Sequence, residues 1–231
     1  MKNCKSFLAF SLLIFILIST PAKLHAVDIS VGAATWYTWW DWKSPGRGNF
    51  IDIDPAFLYG PVLSVKFSDD FNLTFVYLYG KFDAQIPLYA DTNIKLKRSD
   101  LDLALNYRLN NYFKVFGGIK YMGYKYLMDS DETDHSGIGP GLGLSVAYPL
   151  VENLFLLANI SGMYLWGSDD GFKFIDYGIN SGLSIAYYIV PASTVISLGG
   201  RFQYYKEVND YYTNTYKFYG ATLTATYNFS I

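Results

Sequence analysis

The stretch SDLDLALNYRL, residues 99–109, alternates from Asp100 onward between polar or small side chains and large apolar ones. Leu101 and Leu103 fall on one face of this stretch, while Asp100 and Asp102 fall on the other. Because successive side chains of a β-strand point to opposite faces, the period of two predicts a strand with one wholly apolar and one polar face. Such contrast is typical of a strand that separates lipid from the interior of a barrel.

Nine further segments repeat this alternation along the chain. They cover residues 29–40, 51–66, 73–82, 113–125, 138–150, 154–166, 176–189, 195–205 and 216–231. The resulting number of strands is even, as in single-chain bacterial membrane barrels. We therefore predict an all-β fold: one domain, residues 27–231, that forms a transmembrane up-and-down antiparallel β-barrel of ten strands.

The connections between the predicted strands are of two kinds. Tight turns are predicted at residues 68–70, 110–111, 151–153 and 191–193. Longer and more polar loops are predicted at residues 41–49, 83–94, 127–137, 167–174 and 206–215. Short turns at one end and long loops at the other are typical of the periplasmic and extracellular ends of such a barrel, so both termini should lie in the periplasm.

A secreted soluble barrel or sandwich would show the same alternation with its apolar face turned inward. The aromatic residues favour lipid instead, because on the apolar face they gather at the strand ends. Near the loops they are Tyr37, Trp39, Tyr77, Tyr79, Tyr164, Trp166, Tyr204 and Tyr219, and near the turns they are Tyr107, Phe113, Tyr148, Tyr187, Tyr227 and Phe229. Two aromatic girdles around an aliphatic band are the pattern of the two membrane interfaces.

Residues 1–26 have the features of a cleaved secretory signal peptide. Lys2 and Lys5 precede an apolar run over residues 7–18, which is too short to span a membrane as a helix. Cleavage after Ala26 would remove three lysines, taking the formal net charge from −2 to −5, and would also remove the only cysteine. The mature chain is therefore expected to lack disulfides and thiol chemistry, and its acidic charge argues against nucleic-acid binding.

The chain resembles small bacterial outer-membrane β-barrel proteins of 8 to 10 strands, with no specific subfamily indicated. The likeness is carried by SDLDLALNYRL, YFKVFGGIKYMGY, GPGLGLSVAYPL and FYGATLTATYNFSI. It implies location in the bacterial outer membrane, contact with outer-membrane lipid and lipopolysaccharide, and insertion by the barrel-assembly machinery. Members usually end in an aromatic residue, whereas Phe229 is third from the end here, and this departure weakens the assembly inference.

The chain also resembles ten-stranded omptin-type proteases, which activate water with an aspartate pair and an Asp-His pair. Asp52 and Asp54 could supply the first pair, at the upper rim of the lumen. The only histidine after residue 26 is His135, and the residue two before it is Thr133, so a strand would not carry Asp and His on one face. We therefore expect no enzymatic activity and interpret Asp52 and Asp54 as solvated carboxylates.

His135 lies among Asp129, Asp131, Glu132 and Asp134 in a predicted loop. The cluster lacks the glycine and terminal glutamate of a calcium-binding loop. A divalent ion bridging to lipopolysaccharide is one interpretation, but a solvated acidic loop explains the same residues. No metal site and no cofactor are predicted.

The lumen face of the predicted strands carries charged residues that could form one network. They are Asp100, Asp102, Lys114, Lys120 and Arg201. Folding the fourth and fifth strands about their turn places Lys120 across from Asp100 or Asp102. The network is interpreted as a salt-bridge cluster that closes a narrow barrel, with a selectivity filter as the alternative.

Other inward positions are apolar, which a wide porin would not need. They are Leu58, Val76, Leu78, Phe116, Met122, Phe155, Leu157, Met163 and Leu165. They suit a plug-like core or the passage of a small hydrophobic solute. The sequence thus predicts a non-enzymatic outer-membrane barrel, either a narrow channel for small solutes or a structural or surface-binding protein.

Overall fold

The computed structural model describes residues 27–44, 48–49, 51–85, 93–128, 131–169 and 172–231. The predicted signal peptide, residues 1–26, lies outside these ranges. Among the described residues, no helix is long and apolar enough to cross a membrane.

Ten long strands form the wall. They are β1 (Asp28–Ser44), β4 (Ala56–Lys66), β5 (Phe71–Gln85), β6 (Asn93–Arg108), β7 (Phe113–Met128), β8 (Asp131–Val151), β9 (Leu154–Asp169), β10 (Phe172–Ile189), β11 (Thr194–Val208) and β12 (Thr213–Ser230). Two short strands, β2 (Gly48–Asn49) and β3 (Asp52–Ile53), pair with β1 and β5. Each long strand is antiparallel to its neighbours, and β12 pairs with β1 from Asp28↔Ser230 to Lys43↔Thr215. The predicted closed ten-stranded antiparallel barrel is confirmed.

The four predicted tight turns are confirmed. Asn110 stabilises one of them, because its side-chain oxygen accepts hydrogen bonds of 2.9 Å from the backbone N–H groups of Tyr112 and Phe113. Another turn is a short 3-10 helix, Val190–Ala192, that ends at Ser193 with a φ of 46°. Short connections of this kind hold neighbouring strands in register at this end of the barrel.

The predicted long loops are largely wrong, because most of these residues are in strands. At the loop end, β1 and β5–β12 each extend three to seven residues beyond the limits of the predicted strands. In this upper part the alternation is inverted: Ile94 and Leu96 of β6 are buried inside, while Lys95 is exposed outside. The lipid-facing pattern therefore ends before the strands do, and only backbone pairing reveals their full length.

The predicted strand over residues 51–66 is also interrupted. Asp54 and Pro55 are not in a strand, since proline has no N–H to donate to the ladder. Ile51 and Ile53 point into the core, and Asp52 and Asp54 are exposed. The prediction that Asp52 and Asp54 line the upper lumen was wrong, because the inversion described above places their apolar neighbours inside.

The outer surface carries an apolar band between aromatic rings. Leu142, Leu183 and Leu198 are 58–66% exposed in its middle. Trp39 stacks on Tyr219 at the loop end, with ring centroids 5.8 Å apart, and Tyr227 lies next to Phe229 at the turn end. An exterior with two aromatic girdles and an aliphatic middle matches the surface that a bilayer requires.

The interior has two layers. The layer towards the long hairpins is a packed core of large side chains that are at most 3% exposed. Its members include Trp36, Trp40, Leu58, Leu78, Phe82, Leu96, Leu165, Tyr205, Tyr216 and Phe218. Below it, towards the tight turns, lies a more polar cavity of about 410 Å³ lined by side chains that include Asn106, Ser145, Asn159 and Thr224.

Placing an arginine at the middle of the apolar band tests whether this band contacts lipid. Leu198→Arg should lower the free energy of unfolding by about 2–4 kcal/mol, because the side chain must be buried in hydrocarbon. Val151→Arg, at the tight-turn end of β8, should cost at most about 1 kcal/mol. Both native side chains are 64% exposed, so the pair is matched.

The measurement is urea unfolding of the protein in phospholipid vesicles, followed by tryptophan fluorescence. An equal decrease in the free energy of unfolding in the two variants would show that the apolar band does not lie in the hydrocarbon.

Candidate functional site

Asp102, Lys120 and Arg201 form an ion-pair network at the upper end of the polar cavity. Asp102 on β6 and Lys120 on β7 are register partners, and Lys120 Nζ lies 2.6 Å from Asp102 Oδ1. Arg201 on β11 reaches the second carboxylate oxygen at 3.4 Å. Because β6 and β11 are five strands apart in a ring of ten, this contact crosses the full width of the lumen.

The network carries two cations for one anion. Arg201 also donates a hydrogen bond of 3.1 Å to Asn180, and its guanidinium lies 4.7 Å from the ring of Trp36. The side chain of Lys120 is 6% exposed, whereas that of Asp102 is 32% exposed and faces the cavity. The cavity thus has one net positive charge at its upper end, and water can reach the carboxylate.

Asp100 belongs to a different group, in the packed layer above. It accepts two hydrogen bonds, of 3.1 and 3.0 Å, from Arg98, and both side chains are nearly fully buried. Arg98 also donates to Gln203 on β11 and lies 3.5 Å from the ring of Phe218. A second bridge therefore crosses the lumen one level above the Asp102–Arg201 contact.

Lys114 lies apart from both groups. It is the second residue of β7 and pairs in register with Arg108, next to a tight turn. Six residues separate it from Lys120, which corresponds to about 20 Å along a strand. Of the five residues singled out from the sequence, Asp102, Lys120 and Arg201 come together, Asp100 pairs with Arg98, and Lys114 lies at the tight-turn end of the barrel.

A third group, above the other two, was missed in the sequence. His135 on β8, Asp176 on β10 and Glu207 on β11 are each 1% exposed. Tyr216 donates a hydrogen bond of 2.6 Å to Glu207, and Tyr124 lies within hydrogen-bond distance of both. The interpretation of His135 as part of a solvated acidic loop was wrong, because β8 continues through this residue and turns its side chain inward.

The arrangement of Asp52, Asp54 and His135 differs from what a protease needs. Asp52 and Asp54 are exposed, whereas His135 is buried and stacked between Tyr124 and Phe174, at centroid distances of 4.3 and 3.9 Å. A general base must reach both a water molecule and a substrate. These three residues therefore do not form a shared, solvent-accessible site in the described part of the chain.

No family model matches the sequence, and no curated protein is similar to it in sequence. Among solved structures, the outer membrane protease OmpT from Escherichia coli is similar with a TM-score of 0.59 and 10% identity, over 91% of this chain and 99% of that chain. Ail from Yersinia pestis is similar with a TM-score of 0.37 and 13% identity, over 88% of this chain and 98% of that chain. OprG from Pseudomonas aeruginosa is similar with a TM-score of 0.34 and 15% identity, over 88% of this chain and 95% of that chain. The similarity to OmpT shows that the fold is that of a bacterial outer-membrane β-barrel.

Three isosteric substitutions should lower the free energy of unfolding by amounts that follow the burial of the ion pair that each one removes. Asp100→Asn should cost about 3–5 kcal/mol, because it leaves the buried Arg98 without its counter-ion. Asp102→Asn should cost about 1–3 kcal/mol, since Lys120 and Arg201 face a cavity that water can enter. Asp70→Asn, which removes an exposed partner of Arg108, should cost at most about 1 kcal/mol.

The free energy of unfolding in vesicles provides the comparison. A larger loss for Asp102→Asn than for Asp100→Asn would contradict the assignment of these pairs to a wet and a dry layer.

Proposed function

We propose that this chain is an integral protein of the bacterial outer membrane with a closed, non-conducting barrel, and that it acts without enzymatic activity as a structural or surface-binding protein. The observation that supports the closed barrel is the packed layer across the lumen. Trp36, Leu58, Leu96 and Phe218 are each fully buried there. Because these side chains fill the lumen above the cavity, we expect no solute-sized passage past them to the extracellular end.

Bridges between opposite walls support a closed state. Asp102–Arg201 and Arg98–Gln203 join β6 to β11, and Tyr124–Tyr216 joins β7 to β12. The two strands of each pair are five positions apart in the ring of ten. A pore would need all three levels of contact to separate. At the middle level this would part Arg98 from Gln203 and leave buried polar groups without a partner, which is costly.

The hairpins that extend past the upper aromatic girdle are the part of the barrel that can meet partners. Tyr211, in the connection between β11 and β12, is 79% exposed, and its ring lies 6.0 Å from that of Phe172 in the neighbouring hairpin. Exposed aromatic side chains are typical of binding surfaces. The apolar band supports contact with outer-membrane lipid and lipopolysaccharide, and insertion by the barrel-assembly machinery is part of the same proposal.

The alternative is a narrow channel for small solutes, and planar-bilayer conductance separates the two. We expect the purified wild-type protein to be silent, because the packed layer leaves no continuous aqueous path. The double variant Trp36→Ala, Phe218→Ala should produce openings or a raised leak, since it removes two large side chains from this layer.

The matched control is Trp39→Ala, Tyr219→Ala, which removes an aromatic pair from the outer surface of the same two strands and should stay silent. Reproducible openings of the wild-type protein, reduced or altered in selectivity by Asp102→Ala, Lys120→Ala, would refute the closed barrel in favour of the channel.

A further inference from the structure

His135, Asp176 and Glu207 bring three metal-ligating groups together in the uppermost layer of the barrel interior. One ligand atom from each lies within 4.8 Å of the other two. His135 Nε2 is 3.6 Å from Asp176 Oδ2. In a tetrahedral zinc site with bonds of about 2.0–2.1 Å, neighbouring ligand atoms are about 3.3–3.4 Å apart, so a small adjustment would bring the groups to bonding distance.

The charges around this cluster favour a divalent cation. Asp176 and Glu207 are both buried, and Arg98, the buried cation below them, is engaged by Asp100 through two hydrogen bonds. Within the described part of the chain, Oδ1 of Asp176 has no hydrogen-bond partner. Burying two carboxylates close together is unfavourable, and one divalent ion would neutralise both.

The neighbouring aromatic residues hold the three groups in place. The imidazole of His135 is stacked between Tyr124 and Phe174, which fixes the plane in which its nitrogen lone pair points. Glu207 accepts a hydrogen bond of 2.6 Å from Tyr216. Ligating histidines and carboxylates in metalloproteins are oriented by outer contacts of this kind.

We propose that His135, Asp176 and Glu207 bind one divalent transition-metal ion, with Zn²⁺ as the best fit, and that the ion ties β8, β10 and β11 together above the packed layer. One imidazole nitrogen with two carboxylates suits Zn²⁺, whereas Ca²⁺ and Mg²⁺ prefer ligand sets made of oxygen. The site would stabilise the upper hairpins, and it does not depend on whether the barrel conducts.

The test is metal content and affinity of the purified folded protein in detergent micelles. After incubation with Zn²⁺ and removal of free metal, mass spectrometry should find about one zinc per chain in the wild-type protein. His135→Asn and Asp176→Asn should each weaken binding at least about 100-fold, more than loss of an outer contact does. Asp134→Asn, an exposed position next to His135 that pairs with Lys125, is the matched control and should retain the metal.

Two further measurements keep the test independent of folding defects. Glu207→Gln still accepts the hydrogen bond from Tyr216, and should fold but lose affinity. In the wild-type protein, Co²⁺ in place of zinc should give the strong visible absorption of a low-coordinate site, which requires no variant. A wild-type protein that holds less than about one tenth of an equivalent of either metal would overturn the proposal, as would an Asp176→Asn variant with wild-type affinity.

Discussion

Every backbone N–H and C=O in the hydrocarbon layer must find a partner within the protein, and this constraint requires the sheet to close. The pairing of β12 with β1 over residues 28–43 and 215–230 removes the two edges that ten strands in a row would leave. Closure then fixes the width of the lumen, because barrel diameter follows strand number. In a barrel of ten strands, long side chains from opposite walls can meet, and here they do.

The lipid-facing side of this architecture was predictable because lipid imposes a sharp local pattern. Ten alternating segments gave the strand number, and tight turns such as that at Asn110 set the register of neighbouring strands. That register also placed Lys120 across from Asp100 or Asp102, since a hairpin brings residues together at a spacing that the chain itself shows, and the structure pairs it with Asp102. Local alternation and short turns therefore account for the wall and for the Lys120–Asp102 contact between adjacent strands.

The contacts across the lumen could not be predicted in the same way. Arg98 and Gln203 are 105 residues apart in sequence, and no local pattern relates them. The upper layer was obscured for another reason: above the girdle the outer face meets water, so charged residues such as Lys95 turn outward and the alternation inverts. His135 was assigned to a loop because an inverted strand with acidic neighbours lacks the lipid-facing signature.

The inversion also explains why the interior is packed at one end and hollow at the other. Within the lipid layer the apolar residues are needed outside, so the lumen receives the polar and small side chains, and a cavity with paired charges results. Above the lipid layer the apolar residues are free to turn inward, and they form a core like that of a soluble barrel. A polar group in that core must bring its own partner, as Arg98 does with Asp100. Asp176 and Glu207 place two carboxylates beside one histidine in this core, and Oδ1 of Asp176 has no hydrogen-bond partner within the described residues, so a cation bound here would stabilise the layer.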